Sequence, residues 1–458
     1  MNKTEIPASN GKSVLALFKL SAFKWIFASN SAFFFAMNSQ NIVRSWLAFK
    51  LMNSELALGL IMFTIAVPMF FLSPIGGVIT DRRDRRNVIL FGQITIFAAD
   101  LLVFLMLYFD VLEFWHLLVT SAISGCMFPL IMPARNAIVV NIVGKSRLEQ
   151  AMAVNIAGIN TMRVLGPAFA GFLIDLTGET NAYLVSVILY GLAAFCMTRI
   201  AASPPTDEMK NLSVKKSIVE GFTYVWEHRL ILILLSFGLL PMFLAMPFQN
   251  LLVVFAEKIW DVGSRGFGFL GAAMGMGGIF GAAIVAFHTT TKTRLRRMMI
   301  SMLGFGVFLF CFAFSPWFGL GLVLVFIANA FISTFNTLNN TAIQLLIPDH
   351  VRGRISSFLM MSFSLPLLGS LPVAAVAEIY GAPVAVAGSS ILSVIIGLLF
   401  YGLSQRLRNM DDGIKTAMAD EQREHILKHK PPSEPPGPEL ADGHQKVTTI
   451  QPETVRNS

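Results

Sequence analysis

The sequence predicts an all-α membrane protein with about twelve transmembrane helices in two pseudo-symmetric six-helix bundles. The 458 residues are 55% hydrophobic and only 14% charged, whereas soluble domains carry about 25% charged residues. Apolar stretches long enough to cross a bilayer, about 20 residues each, recur between residues 23 and 405 with short polar breaks. A motif also recurs at a constant offset of 205 residues, which indicates a duplicated unit.

The predicted organisation follows these apolar stretches. Residues 1–22 form a polar segment without a cleavage site, so we expect the first helix to act as an uncleaved insertion signal. We expect one bundle over 23–202, a linker over 203–229, a second bundle over 230–405 and a disordered proline-rich tail over 406–458. The predicted spans are 23–49, 56–80, 87–108, 113–141, 150–175, 181–202, 230–256, 265–288, 297–314, 317–347, 355–379 and 383–404.

The distribution of basic residues predicts the orientation. About 23 Lys and Arg fall in alternate segments, whereas the other connecting segments hold only Lys50, Lys258 and Arg265. Loops rich in Lys and Arg stay in the cytoplasm, so we expect both termini there, in a bacterial inner membrane. A net charge of +8 spread in this way argues against a groove for nucleic acid.

The repeat supports two related halves. Ala137-Ile138-x-x-x-Ile142-x-x-x-x-Arg147 returns as Ala342-Ile343-x-x-x-Ile347-x-x-x-x-Arg352. Both copies end a long span at a predicted cytoplasmic turn. In transporters built from such repeats, the binding site lies between the halves near the middle of the membrane.

A basic turn between the second and third spans is the most informative motif. It reads Gly77-x-x-x-Asp81-Arg82-x-x-Arg85-Arg86 and resembles the signature loop of the major facilitator superfamily. Two positions depart from the general pattern, Thr80 and Asp84. The resemblance implies that Asp81, Arg82, Arg85 and Arg86 close the cytoplasmic side in the outward-facing state. It also implies that Gly77 permits the close helix approach beside them. The alternative is an ordinary basic turn.

Further motifs resemble the drug- and macrolide-efflux and enterobactin-exporter branch of that superfamily. They are Asn53 to Leu60, Pro133 to Ala137, Arg147 to Ala151, Asn160-x-x-Arg163-x-x-Gly166-Pro167-x-x-x-Gly171 and Pro348-Asp349-x-x-Arg352-Gly353-Arg354. In exporters of the superfamily the helix-five stretch around Gly166, Pro167 and Gly171 helps to seal the outer side. An ordinary proline kink is the alternative.

Four charges lie inside the spans of the first half, Arg44, Asp100, Arg135 and Arg163. Each costs about 2.5–3.5 kcal/mol on insertion scales, so each requires a reason. One interpretation is a static pair between Asp100 and an arginine. The other is that Asp100 exchanges a proton and that the arginines serve coupling or substrate binding.

The second half offers amides instead of charges. Asn336, Asn339 and Asn340 share one face of the tenth span at i, i+3 and i+4. An amide-lined, aromatic-rich cavity suits a bulky amphiphile, and the arginines would also accept an anionic siderophore.

These observations predict a secondary active exporter of an amphiphilic small molecule that works by alternating access, and we expect it to be driven by proton antiport. We expect no enzyme activity, catalytic residue, cofactor or metal, because phosphate-binding loops, nucleophile motifs and metal-spaced His clusters are missing from the sequence. We expect lipids, protons and the substrate as partners, and a monomer. An importer, a lipid flippase and a non-transporting sensor or scaffold remain as alternatives.

Overall fold

The computed structural model describes residues 14–144, 147–204, 223–287, 293–347 and 364–414, without the side chains of 14–16 and 81. The described residues form helices and contain no strand. The N-terminal half holds α1 Ser21–Met52, α2 Glu55–Arg82, α3 Arg85–Tyr108, α4 Phe114–Val143, α5 Leu148–Thr177 and α6 Glu179–Thr198. The C-terminal half holds α7 Arg229–Ile259, α8 Gly263–Phe287, α9 Arg294–Ala313, α10 Phe318–Leu346, α11 Leu365–Tyr380, α12 Ala382–Leu403 and the short α13 Gln405–Arg408.

Ten of these helices are long and apolar enough to cross a membrane. Of the other two predicted spans, α1 is 32 residues long but more polar, and α11 is described only from Leu365 onward, because residues 348–363 lie outside the described part. We call the end of the bundle where α2 meets α3 the basic end, and the end where α1 meets α2 the opposite end.

Two helices depart from regular geometry. α7 consists of Arg229–Ala245, Phe248–Val254 and a π-helical turn Phe255–Ile259, with Pro241 inside the first part and Pro247 at the joint. Proline removes a backbone donor and interrupts the helical ladder. α11 is divided in the same way into Leu365–Leu368 and Ser370–Tyr380.

The hairpins at the opposite end repeat between the halves. Gly178 joins α5 to α6 at φ +85°, and Gly381 joins α11 to α12 at φ +86°. A positive φ at a helix end favours glycine, which has no Cβ. The repeat found in the sequence therefore extends to backbone geometry.

The predicted chain ends differ from the structure in two places. Val14–Lys19 forms a 3₁₀ helix before α1, and Leu17 is buried in the core of the N-terminal half. Residues 405–414 continue beyond α12 as helical structure, with Leu407, Met410 and Ile414 buried. Disorder therefore does not begin at residue 406 as predicted, because these three apolar side chains at i, i+3 and i+7 pack on the bundle.

Candidate functional site

A buried ion pair lies in the interior of the N-terminal half. The Arg44 guanidinium on α1 is 3.2 Å from the Asp100 carboxylate on α3, and the two side chains are 4% and 0% exposed. The Tyr183 hydroxyl on α6 donates to the same carboxylate oxygen at 3.1 Å and accepts from the Gln40 amide at 2.8 Å. Three helices thus meet at one carboxylate. The other oxygen of Asp100 is buried without a hydrogen-bond partner among the described residues.

A second buried cation, Arg135 on α4, has different surroundings. Its guanidinium donates to the Asn30 side-chain oxygen, and the Asn30 amide donates to Asn155 on α5 at 2.7 Å. The guanidinium carbon lies 4.2 Å from the centre of the Phe33 ring, a cation–π contact. Arg135 is 3% exposed, and within the described ranges no carboxylate pairs with it. Its Nε and one terminal nitrogen have no hydrogen-bond partner there.

The two cations lie at different depths. At 1.5 Å per residue, Asp100 lies about 22 Å from the start of α3 at the basic end, and Arg135 about 12 Å from the end of α4. At about the depth of Arg135, the buried Gln93 amide donates to Ser29 at 3.1 Å, and Ser29 donates to the Ala193 carbonyl at 2.9 Å. The interior of this half therefore holds polar contacts at two depths.

Arg163 of α5 is the exception among the predicted interior charges, because its side chain is exposed. Its backbone carbonyl adjoins Gly275 of α8, so it lies at the seam between the halves. The neighbouring turn of α5 packs on α1, where Gly166 touches Phe35 and Asn38. Arg163 lies on the arc of α5 between these two contacts.

The three predicted amide side chains of α10 differ in how far they are buried. Asn339 is buried against Gly238 of α7, Asn336 is half-buried and Asn340 is exposed. α10 packs on α8 through Ser333, whose hydroxyl donates to the Gly278 carbonyl at 2.6 Å. Asn336 and Asn340 lie on the arc of α10 that α7, α8 and α9 leave uncovered.

The basic turn is tied to the end of α6. Asp84 caps α3 by accepting from the Asn87 amide at 3.0 Å. Arg86 donates to the Thr198 carbonyl at 3.0 Å, and the Arg85 amide donates to Ser203 at 3.1 Å. Arg82 ends α2, and the side chain of Asp81 lies outside the described part of the chain.

α2 and α4 approach closely at Gly76 of α2 and at Gly125 of α4. A Cβ at Gly76 would overlap the Pro129 carbonyl. We predicted Gly77 for this role, but Gly77 is only half-buried whereas Gly76 is buried. Small residues let membrane helices approach closely, and a shift of one position turns the contact about 100° around the helix.

The halves meet at the opposite end. In helix five, Pro167 and Gly171 lie against Gly268 of α8, and Pro167 also touches Gly271, so this stretch forms the seam. Across the same seam Gly59 of α2 adjoins Ala374 of α11. The described contacts between the halves lie from this end to mid-depth.

Three polar bridges also cross this seam, and the sequence did not indicate them. Lys258 lies 3.0 Å from Glu55, and Arg265 lies 3.0 Å from Asp175. Glu378 accepts from the Ser54 hydroxyl and from the Leu56 amide, both at 2.9 Å. The missed signal was an acid in one half facing a base or a helix start in the other.

Comparison with known proteins agrees with this geometry. Residues 12–431 match the family described as transmembrane secretion effector. The chain is 24% identical over 397 residues to the staphyloferrin A transporter of Staphylococcus aureus, covering 84% of this chain and 97% of that protein. It is 24% identical over 382 residues to the multidrug efflux pump Tap of Mycolicibacterium fortuitum, covering 80% and 91%.

The fold resembles that of a solved transporter. The nucleoside transporter NupG superposes with a TM-score of 0.68 at 13% identity, covering 83% of this chain and 98% of that structure. This confirms the predicted all-α fold of two six-helix bundles. The chain belongs to the transmembrane secretion effector family of the major facilitator superfamily, a family of multi-pass membrane transporters.

Proposed function

We propose that this protein exports an amphiphilic small molecule across the bacterial inner membrane in exchange for protons, with its basic end in the cytoplasm. The orientation is supported by the concentration of Lys and Arg at that end. Export is supported by the relatives, one of which is named as an efflux pump. The described contacts that join the halves lie at the opposite end, which supports an inward-facing state.

The proposal of proton coupling rests on the buried pair of Arg44 and Asp100. Its carboxylate sits among a cation, a tyrosine hydroxyl and apolar helices, with no exposure to solvent. A proton taken up by Asp100 cancels the charge that holds Arg44. Ionisable side chains buried in membrane helices commonly form proton relays. Loss of this ion pair would loosen α1 from α3 and so change the relative stability of the two transport states.

Arg135 is the group that we propose holds an acidic part of the substrate. It is a buried guanidinium that no described carboxylate balances, and arginine matches carboxylates and phosphates with two parallel hydrogen bonds. Phe33 and Phe34 beside it supply apolar contact. Arg163, Asn336 and Asn340 would line the route from this group to the space between the halves.

The test is transport in inside-out membrane vesicles, with a panel of dyes, antibiotics and anionic siderophores and an imposed pH gradient. We expect gradient-driven uptake into these vesicles and proton release from them. In Asp100→Asn we expect gradient-driven uptake to be lost while exchange of labelled for unlabelled substrate continues. Asp110→Asn is the matched control, because Asp110 follows α3 by two residues in the left-handed region at φ 57°, which asparagine also adopts.

Two results would overturn the proposal. Full gradient-driven uptake by Asp100→Asn would show that this carboxylate is not needed for proton coupling. Accumulation in right-side-out vesicles but not in inside-out vesicles would assign import instead of export.

A further inference from the structure

We propose that the groove between α7 and α12 at the basic end binds one anionic phospholipid from the adjoining leaflet. The groove has a volume of about 580 Å³, within the usual range of ligand sites. It lies on the outer surface of the C-terminal half, away from the seam and from the polar interior of the N-terminal half. Its wall consists of Ile233, Ile396, Leu399, Phe400, Leu403, Ser404, Gln405 and Arg406.

The chemistry of the wall changes with depth. Ile396 lies seven residues before the end of α12, about 10 Å into the apolar layer. From there to Leu403 the lining is apolar, and Leu399 and Leu403 are 53% and 83% exposed. At the mouth the lining becomes polar, with Ser404, Gln405 and Arg406. An acyl chain along the wall with a polar headgroup at the mouth matches this order.

Charge at the mouth favours an anionic headgroup. Arg406 is exposed on one side. On the other side Arg229 begins α7 one turn before Ile233, so both residues share a face of the helix. Among the described residues neither arginine is paired with a carboxylate. Basic pockets between membrane helices on the cytoplasmic side are typical sites for anionic lipid headgroups.

The mouth is held in place by packing. Leu407 and Met410 are fully buried, and Leu230 of α7 lies beside Gly413. The Ser404 hydroxyl accepts from the Leu407 amide at 3.1 Å, which fixes the turn that carries Arg406. The backbone that carries Arg406 is therefore held against α7, the helix that Arg229 begins.

Native mass spectrometry of the full chain tests the site. Protein purified in detergent would be titrated with phosphatidylglycerol or with phosphatidylcholine of the same acyl composition. We expect the parent protein to retain one phosphatidylglycerol in preference to phosphatidylcholine. In Arg229→Gln/Arg406→Gln the affinity for that lipid should fall roughly tenfold or more, as expected for two cations at the membrane surface.

The matched control is Arg199→Gln/Arg296→Gln, which removes two exposed arginines elsewhere at the basic end and should leave binding unchanged. Leu399→Trp, which places a large side chain in the groove, should weaken binding without changing the charge. Equal loss in the control, unchanged binding in Arg229→Gln/Arg406→Gln, or equal retention of both lipids by the parent would each overturn the proposal. Displacement of the lipid by millimolar inorganic phosphate alone would also overturn it.

Discussion

Arg135 and Asn340 occupy equivalent positions in the two halves, because the sequence repeat relates them by its offset of 205 residues. Arg135 is a buried cation that contacts Asn30 and Phe33, whereas Asn340 is an exposed amide. The same divergence holds more widely. Away from its helix ends, the described C-terminal half carries no charged residue, whereas the N-terminal half contains Arg44, Asp100 and Arg135. The two halves therefore share the same helix order, but these buried charged side chains lie in the N-terminal half.

The halves also differ in how their helices pack. In the C-terminal half α8 and α10 approach so closely that a Cβ at Gly277 or Gly281 would overlap the carbonyls of Phe326 and Ala330. The Thr334 hydroxyl donates to the Gly281 carbonyl at 3.0 Å. In the N-terminal half Gly76 makes a similar approach between α2 and α4, but α1, α3 and α6 are joined by the Arg44–Asp100 pair and Tyr183. Close glycine contacts therefore occur in both halves, whereas among the described residues a buried ion pair joins helices only in the N-terminal half.

Removal of one member of the ion pair is the strongest test of this difference. Asp100→Leu leaves the Arg44 cation buried without its carboxylate, which should cost about 3–5 kcal/mol. Arg44→Met/Asp100→Leu should recover much of that loss, because no charge is then left unpaired. Thermal unfolding of the purified protein in detergent measures both, and a double variant no more stable than Asp100→Leu would contradict the argument.

Arg135→Gln should act on ligand binding and leave the fold intact. Loss of hydrogen bonds to a charged group, about 1.5–3 kcal/mol, should weaken binding of an acidic substrate roughly ten- to hundredfold. The melting temperature should stay at or above that of the parent, because no described carboxylate loses its partner. Arg199→Gln, at an exposed arginine, is the control; a lower melting temperature with unchanged binding would make Arg135 structural.

In the C-terminal half, Gly281→Ala should destabilise by about 1–3 kcal/mol, because the added methyl group enters a filled contact. Gly278→Ala on the same helix has nothing within 4 Å of the new atom, so it should be neutral or slightly stabilising. Melting temperatures of the two variants give the comparison. Equal effects would show that the glycines do not set the distance between α8 and α10.

The smallest effect is expected at the seam. Lys258 and Arg265 are 39% and 46% exposed, and exposed ion pairs contribute about 0.2–1 kcal/mol each. Lys258→Gln/Arg265→Gln should therefore shift the population modestly towards opening at this end. Ser264 of α8 is buried at the seam beside Gly171, so a cysteine there reports opening. Labelling of Ser264→Cys, in a background with Cys126, Cys196 and Cys311 replaced by Ser, should become a few-fold faster when the bridges are removed. An unchanged labelling rate would mean that helix packing alone holds the seam.

The sequence predicted the parts that depend on hydropathy and local pattern. Apolar length located the helices, and the constant offset of the repeat predicted two related halves. A pair between Asp100 and an arginine was among the interpretations, because a buried acid requires a cation, but the sequence did not identify Arg44 as the partner. Pairs such as Lys258 with Glu55, 203 residues apart, depend on how the halves dock, which no local pattern encodes. The position of Gly76 depends on helix rotation, and the packing of residues 405–414 depends on a surface of α7 that the tail sequence does not reveal.

The contact of Glu378 with the start of α2 bears on how the protein is made. Leu56 precedes Glu378 by 322 residues, which at about 5–20 residues per second takes the ribosome roughly 15 to 65 seconds to synthesise. During that interval the Ser54 hydroxyl, which accepts from the Ala57 amide, is present and the Glu378 carboxylate, which accepts from the Leu56 amide, is not. The start of the second helix is thus among the last parts of the protein to be completed, and the N-terminal half expressed alone would lack that acceptor.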